Sequence, residues 1–184
     1  MPGKYRIIAI CGSTRNDSIN LSLIGAIKSL FGKEIDFDVF AGLSLLPHFN
    51  PDLDNENPPQ EVDSFRKRIR IADGVLISTP EYALGTPGSL KNAIDWTVSS
   101  MEFSHKPVAL ITAASQGEKS HASLLDTLTI IESNITAESQ LVISFAKTKI
   151  TGASITDLKT LEAIKQVMNA LLRSIRNNAV GTNS

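Results

Sequence analysis

Residues 5–20 read YRIIAICGSTRNDSIN. Seven apolar-rich residues, Tyr5 to Cys11, are followed by nine in which Gly, three hydroxyls, an Arg and two Asn crowd together before a helical pattern begins. A solidly apolar run of strand length, with no alternation, reads as a strand buried on both faces, as in a parallel sheet. The residues after it hold more hydrogen-bond donors than a connector needs. A loop between a strand and a helix lies where open α/β sheets bind ligands, outside the carboxyl ends of their strands.

Further runs of strand length recur along the chain, most of them solidly apolar rather than alternating. Ile35 to Phe40, Gly74 to Ser78, Val108 to Ala113 and Leu141 to Phe145 read as four further strands. Between them, Ile19, Leu23, Ile27, Leu30 and Phe31 recur at helical spacing, as do Leu90, Ala93, Ile94, Thr97 and Met101. Leu158, Leu161, Ile164, Met168, Leu171 and Ile175 form a long stripe, while Glu61 to Ala72 and Lys119 to Ser133 have weaker periods. Strands alternating with helices imply α/β architecture with right-handed crossovers and helices on both faces. The stretch PHFNPDLDNENPPQ (47–60) carries four prolines and reads as a long loop; its Asp52, Asp54 and Glu56 lack the Gly that a calcium loop needs. No repeat or linker is visible, so one domain over 1–184 is expected, with a frayed tail from Asn177 to Ser184.

The chain has 184 residues, 42% hydrophobic and 20% charged, with a net charge of -1. That composition is ordinary for a soluble domain and lacks the electrostatic footprint of a nucleic-acid or lipid-surface binder. The densest basic cluster, Arg66-Lys67-Arg68-Ile69-Arg70, falls in an expected helix and reads as a solvated face. The single cysteine, Cys11, excludes an intramolecular disulfide framework. No run approaches the ~20 apolar residues that span a bilayer, and the cytoplasm is the expected location. Two glycosylation-type sequons, at Asn16 and Asn134, stand without other signs of secretion.

The first loop suits an anion. A helix N-terminus leaves backbone N–H groups unpaired and carries about half a positive charge. Gly12 allows close backbone approach; Ser13, Thr14 and Ser18 offer hydroxyls; Arg15 offers a rigid fork of donors. Asn20 bonds a ligand or braces the loop. In the plainer alternative, Ser18 or Asn16 caps the helix and the rest is surface. The glycine pattern of a dinucleotide turn and that of a P-loop are both absent. A low-molecular-weight phosphatase needs Arg six positions after its Cys, whereas Arg15 follows Cys11 by four, so Cys11 reads as a buried strand end. His48, His105 and His121 read as structural or solvated, with neither metal-ligand spacing nor a nucleophile elbow nearby.

After the third strand comes TPEYALGTPGSLKNAIDW (79–96). Thr86 and Pro87 suit a helix start, and Pro80 to Gly85 form a loop. There Tyr82 offers a flat face, and the N–H groups of Glu81, Tyr82 and Ala83 can follow a ring edge. Together the two loops suit a ligand with a phosphate at one end and an aromatic system at the other.

At these positions the sequence resembles the NADPH-dependent FMN reductases, flavodoxin-like enzymes that include quinone, azo-dye and chromate reductases. Gly12, Ser13, Arg15, Ser18 and Asn20 match the first motif; Pro80 to Tyr82 and Pro87 to Trp96 match the second. Leu46-Pro47 and Phe49 to Leu53 resemble the loop after the second strand. The resemblance implies a three-layer flavodoxin-like sandwich around a five-stranded parallel sheet in order 2-1-3-4-5. It implies FMN and NADPH or NADH as cofactors, a small-molecule electron acceptor, and a homodimer or homotetramer. The cofactor contacts it implies are Ser13, Arg15, Ser18, Ile19 and Asn20; Pro80, Glu81, Tyr82, Ala83 and Leu84; and Ser115, Gln116 and Gly117. Arg15 with Ser13 and Ser18 takes the phosphate, and Pro80 to Leu84 line the ring. Lys91, Asn92 and Asp95 brace the loops, and Trp96 packs. No catalytic side chain and no metal ligand is implied. The chain departs from the family at Ala83-Leu84-Gly85, where Asn-Gly-Ser is usual, and in the less Gly-rich loop Ala114 to Glu118; beyond residue 120 the resemblance fades. A flavodoxin-type electron carrier and a flavin-free scaffold on the same fold are the alternatives.

Overall fold

The computed structural model describes residues 3–181. Strands β1 (Tyr5–Cys11), β2 (Ile35–Phe40), β3 (Gly74–Thr79), β4 (Val108–Ala113) and β5 (Gln140–Ile143) form one parallel sheet in the order β2-β1-β3-β4-β5. Three of the five strands have the bounds read from the sequence. The third extends one residue further, and the fifth starts and ends earlier than Leu141 to Phe145.

Side chains alternate across the sheet, so each strand feeds two cores. Ile7, Ala9 and Cys11 of β1 face helices α1 (Ile19–Phe31) and α6 (Leu158–Gly181), where Leu23, Ile27, Met168 and Leu171 are fully buried. Ile8 and Ile10 face the other way, toward α2 (Gln60–Arg70), α3 (Gly88–Asp95) and α4 (Glu118–Ile130), where Phe65, Leu90, Ile94 and Leu124 are buried. Each such side chain contributes roughly 1.5–3 kcal/mol on burial, which is why the apolar runs decide the fold. Helix α6 continues through Gly181, so the tail from Asn177 is helical that far; 182–184 lie outside the described residues.

Several expectations change. The stripe through Thr97 and Met101 leaves the helix after Asp95. Thr86 does not cap α3: Pro87 holds that position, and the Thr86 hydroxyl donates instead to Ser120 O at 3.5 Å. The basic cluster on α2 is a solvated face only at Lys67 and Arg70, and all four of its cations are paired. Arg66 is 4% exposed, paired with Asp54 at 2.6 Å, and donates from Nε to Trp96 O; Lys67 pairs with Asp63, Arg68 with Asp38 and Arg70 with Glu102. The Asp54–Arg66 pair anchors the Pro-rich loop. Asn92 and Trp96 anchor it again, through Phe49 N–H to Asn92 Oδ1 and through Asn92 Nδ2 and Trp96 Nε1 to Pro47 O. Asn92 therefore braces as expected and Trp96 packs while donating, whereas Lys91 and Asp95 pair with each other at 2.5 Å.

Past β5 lie elements absent from the sequence reading. They are a one-turn helix α5 (Ala146–Lys149) and a two-stranded ribbon, β6 (Ile150–Thr151) and β7 (Ser154–Ile155), packed beside α1. Among the described residues no helix is long and apolar enough to cross a membrane.

Candidate functional site

A cavity of about 710 Å³ opens at the carboxyl ends of β1, β3 and β4. The chain runs outward in opposite directions from β1 and β3, so the loops after these strands splay apart and leave a crevice. Nine of the thirteen residues expected at the site line it: Ser13, Arg15, Ser18, Ile19, Asn20, Pro80, Glu81, Tyr82 and Ser115. Ala83, Leu84, Gln116 and Gly117 do not.

In the first loop, Gly12 is needed for a reason other than ligand approach. A Cβ there would sit 2.4 Å from Thr79 Oγ1 and 2.7 Å from Thr79 Cβ, so only Gly lets β1 and β3 close at their ends. Ser18 caps α1: its oxygen accepts the Asn20 N–H at 3.3 Å, which leaves its hydroxyl proton to donate elsewhere. Asn20 is a brace, with Nδ2 donating to Ala113 O at 3.1 Å and Oδ1 accepting from Ser78 Oγ at 2.9 Å. It ties the start of α1 to β3 and β4. Ser13 is buried, accepts the Arg15 N–H at 3.3 Å and lies 3.5 Å from the Tyr82 hydroxyl. The Arg15 guanidinium is exposed on the cavity wall and has no partner among the described residues. Cys11 is buried, its thiol donates to Ser13 O, and burial pushes its pKa up, which suits a packed strand end rather than a thiolate nucleophile.

The loop after β3 is a tight hairpin. Tyr82 and Gly85 exchange backbone hydrogen bonds of 3.1 and 2.9 Å, and between them Ala83 (φ 49) and Leu84 (φ 60) are both left-handed. That is a type I′ turn, which favours Asn-Gly. It turns Ala83 and Leu84 away from the cavity, leaves Leu84 63% exposed, and engages the Tyr82 N–H that the sequence reading had left for a ring edge. Glu81 reaches sideways: Oε1 accepts Gly117 N–H at 3.2 Å and Oε2 accepts Ser120 N–H at 3.0 Å. A carboxylate on unpaired N–H groups at a helix start is favourable by charge and by hydrogen bonding. Gly117 (φ 112) therefore caps α4 and carries this contact instead of lining the cavity, and Gln116 faces outward with its carbonyl accepting from Ser144 Oγ at 2.9 Å.

Beneath these loops His121 bridges the ends of α4 and the sheet, with Nδ1 2.9 Å from Thr112 Oγ1 and Nε2 3.1 Å from Gln140 Oε1. Desolvation holds its pKa below the ordinary 6.5. It is structural, as expected, while His48 and His105 are exposed away from the cavity. The residues that sequence reasoning missed are Asp17, Ala113 and Ala114, and the whole segment from Phe145 to Gly152 apart from Lys149.

The match to the family model for NADPH-dependent FMN reductases runs over residues 5–148. The chain belongs to this family. Membership places it among oxidoreductases that use FMN and NAD(P)H and disfavours the flavodoxin-type carrier. An NAD(P)H-dependent FMN reductase of Pseudomonas aeruginosa is 31% identical over 183 residues, which is 96% of this chain and 98% of that one. A 2-hydroxy-1,4-benzoquinone reductase of a Burkholderia species is 42% identical over 91 residues, half of this chain and 49% of its own length. The solved flavoenzyme NAD(P)H:(acceptor) oxidoreductase of Paracoccus denitrificans superposes with a TM-score of 0.74 at 25% identity, covering 94% of this chain and 98% of that one.

The residues present fit a flavin mononucleotide. An unpaired guanidinium and two buried hydroxyls occupy one wall, and a proline and a half-exposed tyrosine occupy another.

Proposed function

We propose that the chain is a single-domain, FMN-dependent NAD(P)H oxidoreductase whose cavity holds FMN between the loops after β1 and β3. The observation that carries the placement is Arg15, a motif guanidinium on the cavity wall without a partner among the described residues. Arg15, with the hydroxyls of Ser13 and Ser18, binds the phosphate, since charge-assisted hydrogen bonds are about twice as strong as neutral ones. Pro80 and Tyr82 flank the ring, and Ile19 and Ser115 fill the lining. Asn20 and Glu81 position these loops instead of touching the reacting atoms. When bound, the flavin supplies two-electron chemistry, hydride in from NAD(P)H and electrons out to a small acceptor such as a quinone, azo compound, metal oxyanion or free flavin. No protein acid or base is required for that transfer. By family likeness the enzyme works in the cytoplasm as a homodimer or homotetramer, which light scattering of the purified protein would test.

Steady NADPH oxidation by the FMN-loaded protein with 1,4-benzoquinone is the expected result. Flavin retained without turnover would support a carrier, and absence of both bound flavin and turnover with excess FMN would support a scaffold.

A further inference from the structure

Part of the cavity wall, outside the family motifs, comes from the segment Phe145 to Gly152 after β5. Its first residue, Phe145, has φ 54, a left-handed conformation that a bulky side chain adopts only under constraint. Four hydrogen bonds hold it there. Phe145 N–H donates to Ser115 O at 3.1 Å and Ala146 N–H to Ala114 O at 3.0 Å. Phe145 O accepts from Thr148 N–H at 2.9 Å and from Thr148 Oγ1 at 2.8 Å. These bonds do not bury the ring: Phe145 is 67% exposed, on the cavity wall. Backbone strain kept in place to hold an aromatic ring exposed at a ligand cavity points to a contact made by that ring.

Two residues further on, Lys147 lines the same cavity, exposed and with no partner for its ammonium among the described residues. The other ionised side chains on the lining are Arg15, Asp17 and Glu81, and the Glu81 oxygens are engaged by α4. The cavity thus has two uncommitted cations, one after β1 and one after β5, and the second has an aromatic face beside it. FMN has one phosphate, which the wall of Arg15 takes. A pyridine nucleotide brings a further planar ring and phosphates of its own.

We propose that the segment from Phe145 to Gly152 is the pyridine-nucleotide subsite, with the Phe145 ring against a planar ring of the nucleotide and Lys147 paired with one of its phosphates. This rests on the reading that FMN occupies the wall of Arg15. The test is calorimetric titration of the FMN-loaded protein with NADP⁺ and with NAD⁺, alongside flavin-fluorescence titration with FMN, for the parent, Lys147→Met and Phe145→Gly. Lys147→Met should weaken NADP⁺ binding about tenfold, the scale of one lost charge-assisted bond, and leave FMN affinity unchanged. A loss confined to NADP⁺ assigns Lys147 to the 2′-phosphate, and an equal loss for NAD⁺ assigns it to the pyrophosphate. Phe145→Gly should weaken both nucleotides while raising the melting temperature, because glycine adopts the left-handed conformation without strain. NADP⁺ binding unchanged in Lys147→Met, or FMN affinity falling in step with it, would overturn the assignment. If the parent holds no FMN, the flavin reading is the one that fails, and the same titrations on the flavin-free protein decide the subsite alone.

Discussion

Arg15 and Glu81 are both charged residues in loops at the carboxyl end of the sheet, both line one cavity, and both belong to family motifs, yet the fold treats them differently. Among the described residues the Arg15 guanidinium has no partner, whereas both Glu81 oxygens are held by the N–H groups of Gly117 and Ser120. The difference comes from the neighbours. The helix after β1 is already capped by Ser18, so nothing nearby needs the charge of Arg15. The helix after β4 starts with no side-chain cap of its own, so its unpaired N–H groups draw in a carboxylate from the adjacent loop. A charge in such a loop marks a ligand contact only where the surrounding backbone leaves it free.

The contrast predicts a separation of binding from stability. Arg15→Ala should weaken FMN binding ten- to a hundredfold, about 1.5–3 kcal/mol, with little change in the urea midpoint. Glu81→Ala should do the reverse in kind, costing about 1–2 kcal/mol of stability by urea unfolding, with a weaker effect on FMN that follows from loosened loops. Equal effects on both quantities from both variants would break the distinction. Leu84→Gly tests the hairpin between them: a glycine at this left-handed position should stabilise by about 1 kcal/mol, read as a raised urea midpoint.

The smallest effect concerns the support beneath both loops. His121 is neutral in the fold, its pKa held below 6.5 by burial. The unfolded chain therefore takes up the proton at higher pH than the folded one. The contribution of His121 to stability is complete above its ordinary pKa and is lost as pH falls from there toward the folded value. The urea midpoint of the parent should decline with acidification through this window, and that of His121→Gln should decline less.

Much of this was legible in the chain, and the limits have physical causes. The inner strands of the sheet are apolar on both faces, so Tyr5–Cys11 and Val108–Ala113 could be bounded from residue type alone. The first-loop residues Ser13, Arg15 and Ser18 lie within six residues of the start of α1, where spacing sets proximity, and the cavity gathers them. Segment 145–152 escaped notice because a four-residue helix and a two-residue ribbon are shorter than any hydrophobic period. Its start is tied to the cavity by bonds to Ser115 and Ala114, 30 and 32 residues away in the chain. Ala83 and Leu84 stand off the cavity lining for a related reason: a motif fixes which residues follow Tyr82, but the I′ turn decides where they point.

The central claim is that the cavity beside Arg15 holds FMN and accepts electrons there from NADPH. It is tested most directly by the absorbance spectrum of the purified protein after FMN addition and desalting, followed by NADPH under anaerobic conditions. Flavin bands retained by the parent, bleached by NADPH and lost on desalting of Arg15→Ala are the predicted result. Flavin retained equally by both proteins would contradict the placement of the phosphate, and flavin retained by the parent but left unbleached by NADPH would contradict the reductase.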